Sequence, residues 1–279
     1  MGSCPSTEVK VGVLQFKPEF MRIEENLNRI KSMVEKFDGD VLILPELTFS
    51  GYFFKDREEL FQASEKNEIV FEEMTNLARS KDLILVFGFV EKVNEKFYNS
   101  CALLLPNGRR FIYRKTHLFH REKLFFEPGD TGFFVVEFKG IRIGPAICFD
   151  WFFSESFRTL SLLGADLIAH CANLVMPYCQ SASIYRAIEN RVYIATANRW
   201  GKEERDGEEM EFTGMSQIVS PSGEILIRAD EEGDVVISTL VDVDRSRNKM
   251  LNDFNDVLRD RRDEFYFKGK LYTGDGEGC

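Results

Sequence analysis

Apolar positions along the chain fall into two kinds of run, and the two kinds alternate. VKVGVLQF (residues 9–16) is a compact apolar stretch of strand length. NLNRIKSMVEKF (26–37) spaces its apolar residues three and four apart, which predicts a helix. GDVLILPE (39–46) is a second apolar strand, ending at Glu46. The second half repeats this order with IRIGPAICF (141–149), SESFRTLSLLG (154–164) and ADLIAHCAN (165–173). Further on, the helical FEEMTNLARS (71–80) precedes the strand LILVFGFVE (83–91), as IYRAIENR (184–191) precedes VYIATANRW (192–200). Each half then carries a hairpin. One is SCALLLPNGRRFIYRK, turning at Asn107-Gly108, and the other is MSQIVSPSGEILIRA, turning at Ser222-Gly223.

Strands alternating with single helices predict an α/β fold. Runs such as VLIL and LILVFGF have no polar face, so both faces of their sheets need covering. Two similar halves satisfy that need by packing sheet against sheet. The expected architecture is a four-layer α-β-β-α sandwich; a single open sheet with coincidental similarity is the alternative. The boundaries expected are a flexible N-terminus over 1–8, one domain over 9–244 and a C-terminal arm over 245–279. The charged stretch DRSRNKMLNDFNDVLRDRRDEFYF beginning at Asp244 has no place in the repeat. It reads either as a solvated helix or as an arm against another subunit.

A net charge of −10 with interspersed basic residues gives no basic arm or stripe, which argues against nucleic acid as a partner. No apolar run is long enough to span a bilayer, and no signal peptide is visible, so no membrane partner is expected. The six cysteines lack a disulfide-framework spacing, which fits a reducing, cytoplasmic setting. MGSCPS meets the loose myristoylation pattern at Gly2 and Ser6, a pattern short enough to occur by chance.

Ligands in open α/β sheets gather at the carboxyl ends of strands. Matching strand ends here carry Glu46, Cys148 and Asn173; one hairpin ends at Lys115, and its counterpart at the unreactive Ala229. Cys148 stands at a strand-to-helix turn, where free N–H groups favour a thiolate and can hold an oxyanion, though a buried free cysteine is often only packing. Glu46 follows an apolar run and a proline, so desolvation would raise its pKa toward that of a general base. Lys115 can lower the thiol pKa and neutralise an oxyanion, or simply be solvated. Glu122 either orients Lys115, binds a substrate amide, or pairs with Arg121 or Lys123. His117 and His120 could supply a Cys–His dyad or begin a metal site, but no further ligand spacing supports a metal, and no G-x-S-x-G elbow is present. His170 has no assigned task.

Three segments together resemble the nitrilase superfamily of carbon–nitrogen hydrolases: LPELTFSGY, YRKTHLFHREKLFFEPGD and GPAICFDWFFSESFRTLSLLGADLI. They occur in the family's order, and the likeness runs from Val9 to about Phe267. The resemblance implies an α-β-β-α sandwich, dimers or larger assemblies, and no metal or organic cofactor. It implies Cys148 as nucleophile, Glu46 as general base and Lys115 as oxyanion stabiliser. Glu122 matches a second family glutamate, and the Phe149 N–H a second oxyanion donor. Ser154 and Cys171 stand where many members have proline, which touches the pocket wall and no reacting group.

The expected activity is hydrolysis of small linear amides or N-carbamoyl amines through a Cys148 thioester. Phe-Asp after Cys148, where true nitrilases often have Trp-Glu, favours the amidase branch over an aliphatic nitrilase. A catalytically silent scaffold is the non-enzyme alternative. A membrane acyltransferase lacks its spanning segments, and a glutamine-hydrolysing synthetase lacks its second domain. Tyr52, Phe53, Phe54, Phe125, Phe126, Trp151 and Phe152 are either pocket walls or ordinary core. Asn173 and Tyr178 are candidate polar groups of the pocket, or ordinary turn residues.

Overall fold

A computed structural model of the chain describes residues 8–268. The N-terminal segment and its Gly2 motif therefore lie outside the described residues, except Glu8, which belongs to the first strand. The first half comprises β1 (Glu8–Gln15), α1 (Ile23–Lys36), β2 (Val41–Ile43), α2 (Arg57–Glu65), α3 (Asn67–Ser80), β3 (Ile84–Val93), β4 (Lys96–Leu104) and β5 (Arg110–Arg114). A one-turn helix α4 (Glu122–Phe125) leads to β6 (Val136–Phe138), β7 (Ile141–Ile147) and a 3-10 turn over Cys148–Phe152. Then follow α5 (Ser154–Leu162), β8 (Leu167–Ala172), α6 (Cys179–Asn190) and β9 (Tyr193–Asn198). The hairpin β10 (Trp200–Arg205) and β11 (Glu208–Thr213) precedes β12 (Gln217–Val219), β13 (Ile225–Arg228), β14 (Val235–Asp242) and α7 (Val243–Arg247).

Two six-stranded sheets result, ordered β14-β1-β2-β3-β4-β5 and β6-β7-β8-β9-β12-β13. Each has the same pairing along its width: antiparallel, parallel, parallel, antiparallel, antiparallel. The repeat seen in the hydrophobic pattern is thus a structural repeat. Its first member is completed from the far end of the chain, because β14 pairs with β1 from Glu8↔Asp242 to Gln15↔Val235. β14 does for β1 what β6 does for β7.

Side-chain alternation explains the four layers. Val11 and Val13 of β1, Val41 and Ile43 of β2, and Ile84 and Val86 of β3 join the cluster that also holds Leu167, Ala169 and Cys171 of β8 and Ala195 and Ala197 of β9. Their neighbours Leu14, Leu42, Leu85 and Phe87 point the other way, onto Leu27, Ile30 and Val34 of α1 and Met74 and Leu77 of α3. The strands are apolar throughout because both faces are covered. The predicted solvated helix beyond Asp242 is reduced to the five residues of α7. Beyond it the described residues are mostly irregular, with Phe254 and Phe267 nearly fully exposed. Among the described residues no helix is long and apolar enough to cross a membrane.

Candidate active site

Glu46 lies just beyond β2, where Leu44 N–H still bonds to Val86 of β3 (2.7 Å). The neighbouring strand can pass this close only because it carries glycine at 88. A Cβ there would sit 2.6 Å from Glu46 Cα and 2.4 Å from the Leu47 nitrogen. Lys115 leaves β5 with its N–H on the Asn99 carbonyl (2.8 Å) and its own carbonyl bonded by Gly129 N–H (2.9 Å). A side chain at 129 would strike the Arg114 carbonyl oxygen at 2.1 Å. Backbone packing thus fixes both strand exits before any side chain acts.

The side chains that meet there form one buried ionic cluster. Lys115 Nζ donates to Glu46 Oε1 (2.6 Å) and to Glu122 Oε1 (2.7 Å), with Lys115 and Glu46 fully shielded from solvent at their side chains. Asn99 Nδ2 adds a bond to Glu46 Oε1 (2.7 Å). The Tyr52 hydroxyl donates to Glu122 Oε1 (2.6 Å), and Phe119 N–H to its Oε2 (3.1 Å). Glu122 therefore orients Lys115; the surface pairing with Arg121 or Lys123 is not formed. The other oxygen of Glu46, Oε2, is buried and has no hydrogen-bond partner.

Two carboxylates and one ammonium leave this desolvated cluster one negative charge in excess, and the titrations follow. Burial pushes Glu46 up to about 7, with Lys115 pulling down and Glu122 adding to the rise. Burial alone would lower Lys115, but the carboxylates of Glu122 and Glu46 outweigh it and hold the ammonium above its ordinary range. Burial raises the Cys148 thiol well above its usual value, and the Glu46 carboxylate raises it further against the opposing pull of Lys115. The sulfur therefore favours the thiol form, from which a base would have to take the proton.

Cys148 has φ +37°, a left-handed backbone uncommon outside glycine and costly to hold. Three residues hold it. His170 donates from Nε2 to the Cys148 carbonyl (2.9 Å) and lies near the Thr196 hydroxyl through Nδ1 (3.1 Å). Burial lowers His170 to about 4, so the ring is neutral. Asp150 accepts Ile147 N–H (2.9 Å), the Tyr113 hydroxyl (2.8 Å) and His117 Nδ1–H (2.8 Å), tying the cysteine turn to residues on either side of Lys115. Asn173 accepts the Cys148 thiol at its carbonyl (3.6 Å) and donates from Nδ2 to the Glu46 carbonyl (3.0 Å). One residue thus spans the cysteine strand and the glutamate strand. His117 and His170 serve as supports rather than as partners of the sulfur.

A narrow cleft at Cys148 is lined by Phe119, Phe149, Trp151, Asn173, Leu174, Val175 and Met176, with space for about one water molecule. Phe149 sits at the start of the 3-10 turn, where N–H groups have no partner within the turn.

A family model described as carbon-nitrogen hydrolase matches residues 10–249. The chain belongs to the carbon–nitrogen hydrolase family. Among its relatives, a Pyrococcus abyssi protein named nitrilase is 43% identical over 267 residues, covering 93% of this hydrolase and 100% of the relative. An N-carbamoylputrescine amidase of Arabidopsis thaliana is 33% identical, covering 85% and 86%. In fold, the hydrolase superposes on a carbon–nitrogen hydrolase from Helicobacter pylori G27 with a TM-score of 0.83 at 24% identity, covering 94% and 97%. An amidase from Nesterenkonia sp. superposes with 0.79 at 23%, covering 94% and 95%. The hydrolase is therefore an enzyme of the nitrilase superfamily with the expected sandwich.

Of the residues expected at its site, the fold brings Glu46, Lys115, Glu122 and Tyr52 into one bonded cluster, while Cys148, Phe149, Trp151 and Asn173 line the cleft. Phe53 is buried beside Tyr52 and Glu122, in a separate small hollow with Phe54, Phe125 and Phe126. Tyr178 is corrected: it is 59% exposed just before α6 and outside the cleft, because the chain has by then turned outward through Pro177. Sequence reasoning passed over Asn99 and Glu203. Asn99's signal was a polar residue inside the apolar strand YNSCALLL.

Proposed function

We propose that Cys148 is the nucleophile, Glu46 the general base and Lys115 the oxyanion stabiliser in hydrolysis of small linear amides, N-carbamoyl amines included. One observation carries the assignment. Oε1 of Glu46 is taken by Lys115 and Asn99, so Oε2 alone remains to receive a proton, in the cluster that electrostatically opposes the thiolate. The thiol proton passes to Glu46 as sulfur bonds to the amide carbon. The oxygen's new charge falls to Lys115 and the Phe149 N–H, each worth ~3 kcal/mol as a donor. Glu46 returns the proton to the departing nitrogen, the C–N bond breaks, and a thioester remains. Water, deprotonated by Glu46, then releases the acid and restores the thiol.

An amide substrate is supported by the Phe149-Asp150 pair and by relatives named amidase, and a small acyl part by the narrow apolar cleft. The P. abyssi relative's name favours the second reading, an aliphatic nitrile passing through a thioimidate to acid and ammonia. Ammonia release from primary amides, N-carbamoyl amines and aliphatic nitriles, with Cys148→Ala as blank, separates the two. The expected result is kcat/KM at least about tenfold higher for amides. A reversed ratio replaces the amide reading, and activity equal to the blank throughout favours a silent scaffold.

We infer a homodimer or larger assembly. The outer face of α5 and α6 carries Leu162, Tyr185 and Ile188 exposed, with Leu163 and Phe152 exposed beside them, and a grouping of exposed apolar residues is what an association surface presents. The C-terminal arm from residue 245, with its exposed Phe254, is assigned to the same interface. Four buried cysteines remain free thiols, which supports a reducing cytoplasm as the compartment.

A further inference from the structure

The β10–β11 hairpin belongs to neither large sheet, and the reaction above uses none of its side chains. Its base nevertheless holds a buried ion pair between Arg199 and Glu203, 1% and 6% exposed. The Glu203 carboxylate accepts two successive backbone N–H groups, Phe53 at 2.9 Å and Tyr52 at 3.3 Å. The Tyr52 ring meets Phe212 of β11 edge-on at 5.9 Å, and the Arg199 guanidinium lies 4.2 Å from the centre of that same Phe212 ring. The hairpin's outer end is fixed too: Arg205 donates to both oxygens of Glu59 (2.8 and 2.6 Å) and to the Phe53 carbonyl (3.1 Å). Tyr52 is therefore held at its backbone and at its ring by one element.

What Tyr52 holds in turn is Glu122 Oε1, the atom that also accepts Lys115. We propose that the hairpin is a brace for catalysis: Glu203, charge-paired with Arg199, is a positioning residue that fixes Tyr52 and thereby the place at which Glu122 holds the Lys115 ammonium. The proposal rests on Lys115 receiving the oxyanion, as above. A buried ion pair is a poor source of stability, since apolar residues of equal volume often do as well. Charge-assisted bonds to two adjacent N–H groups, by contrast, define a loop position closely.

The test is a double-variant cycle in steady-state amide hydrolysis, with thermal melting as the control for folding. Tyr52→Phe is expected to lower kcat about tenfold, as for one hydrogen bond to a charged group, with KM within about twofold. Glu203→Gln should lower kcat in the same sense, and the double variant should be no slower than Tyr52→Phe alone. Losses that multiply in the double variant, or an unchanged kcat in Glu203→Gln, overturn the brace. Should Glu203→Gln fail to fold with Arg199 left uncompensated, Phe212→Leu removes the ring contact without stranding a charge and is read in the same cycle. Cys148→Ala tests the underlying site by itself. If it stays active the assignment of the site is wrong; if it is dead while the losses multiply, only the brace fails.

Discussion

The two halves of this hydrolase share one strand order and differ in what stands at equivalent places. Where β2 runs out to Glu46, β8 runs out to Asn173; where β5 runs out to Lys115, β13 runs out to Ala229. The first half supplies every charge of the central cluster, and the second supplies the sulfur and the neutral groups that hold it, His170 and Asn173. Neither half contains a working site. The bond from Asn173 Nδ2 to the Glu46 carbonyl crosses between them. The outer layers differ as well. On α5 and α6 of the second half, three large apolar residues are exposed, with Leu163 just beyond α5, whereas on α1 and α3 only Ile69 is.

The largest effect tests the charged half. Glu46→Gln keeps the bulk of the side chain and removes the base, and kcat should fall about 10³-fold in stopped ammonia assays. A loss below tenfold would assign the proton to another group. A smaller effect comes from pH. In the proposed reaction Glu46 accepts the thiol proton only when ionised, and its pKa is raised to about 7. The rate should therefore fall about tenfold per unit as pH drops below 7 and level off above it. Stability runs the other way, because a carboxyl raised on folding favours the native state in its protonated form. Melting temperature should therefore decline slightly as pH rises through 7 in wild type and lose that dependence in Glu46→Gln. The smallest effect concerns the outer layers and is read by sedimentation. Tyr185→Asp on α6 should weaken assembly about tenfold or more, while Ile69→Asp on α3 leaves it unchanged. Equal effects from the two would erase the contrast between the faces.

The parts of this picture legible in the sequence were those governed by local pattern. Strand β7 and the turn at Cys148 followed from an apolar run giving way to a helical one, and both predicted hairpins form, with Gly108 and Gly223 at positive φ. Glu46, Lys115 and Cys148 were singled out as candidates because strand ends are where α/β sheets collect ligands. What escaped depended on distant pairing. The pairing of β14 with β1 was not foreseen, since nothing local says that Val235–Asp242 seeks Glu8–Gln15. The bond of Glu203 to Tyr52 spans 151 positions and leaves no periodicity. The hairpin that carries it did have a signal, the Asp206-Gly207 turn with both residues at positive φ. The strength of burial around Cys148 was not legible, because turn geometry is readable from pattern and dielectric surroundings are not.

The pairing of β14 with β1 also has a bearing on biosynthesis. As the polypeptide emerges, β1 is made well over two hundred residues before β14, and its edge is not covered until Val235–Asp242 has been made. Such far-reaching closure slows folding, and an open strand edge invites association with other chains meanwhile. Nascent chains halted before residue 235 should therefore depend on chaperones in a way that full-length ones do not.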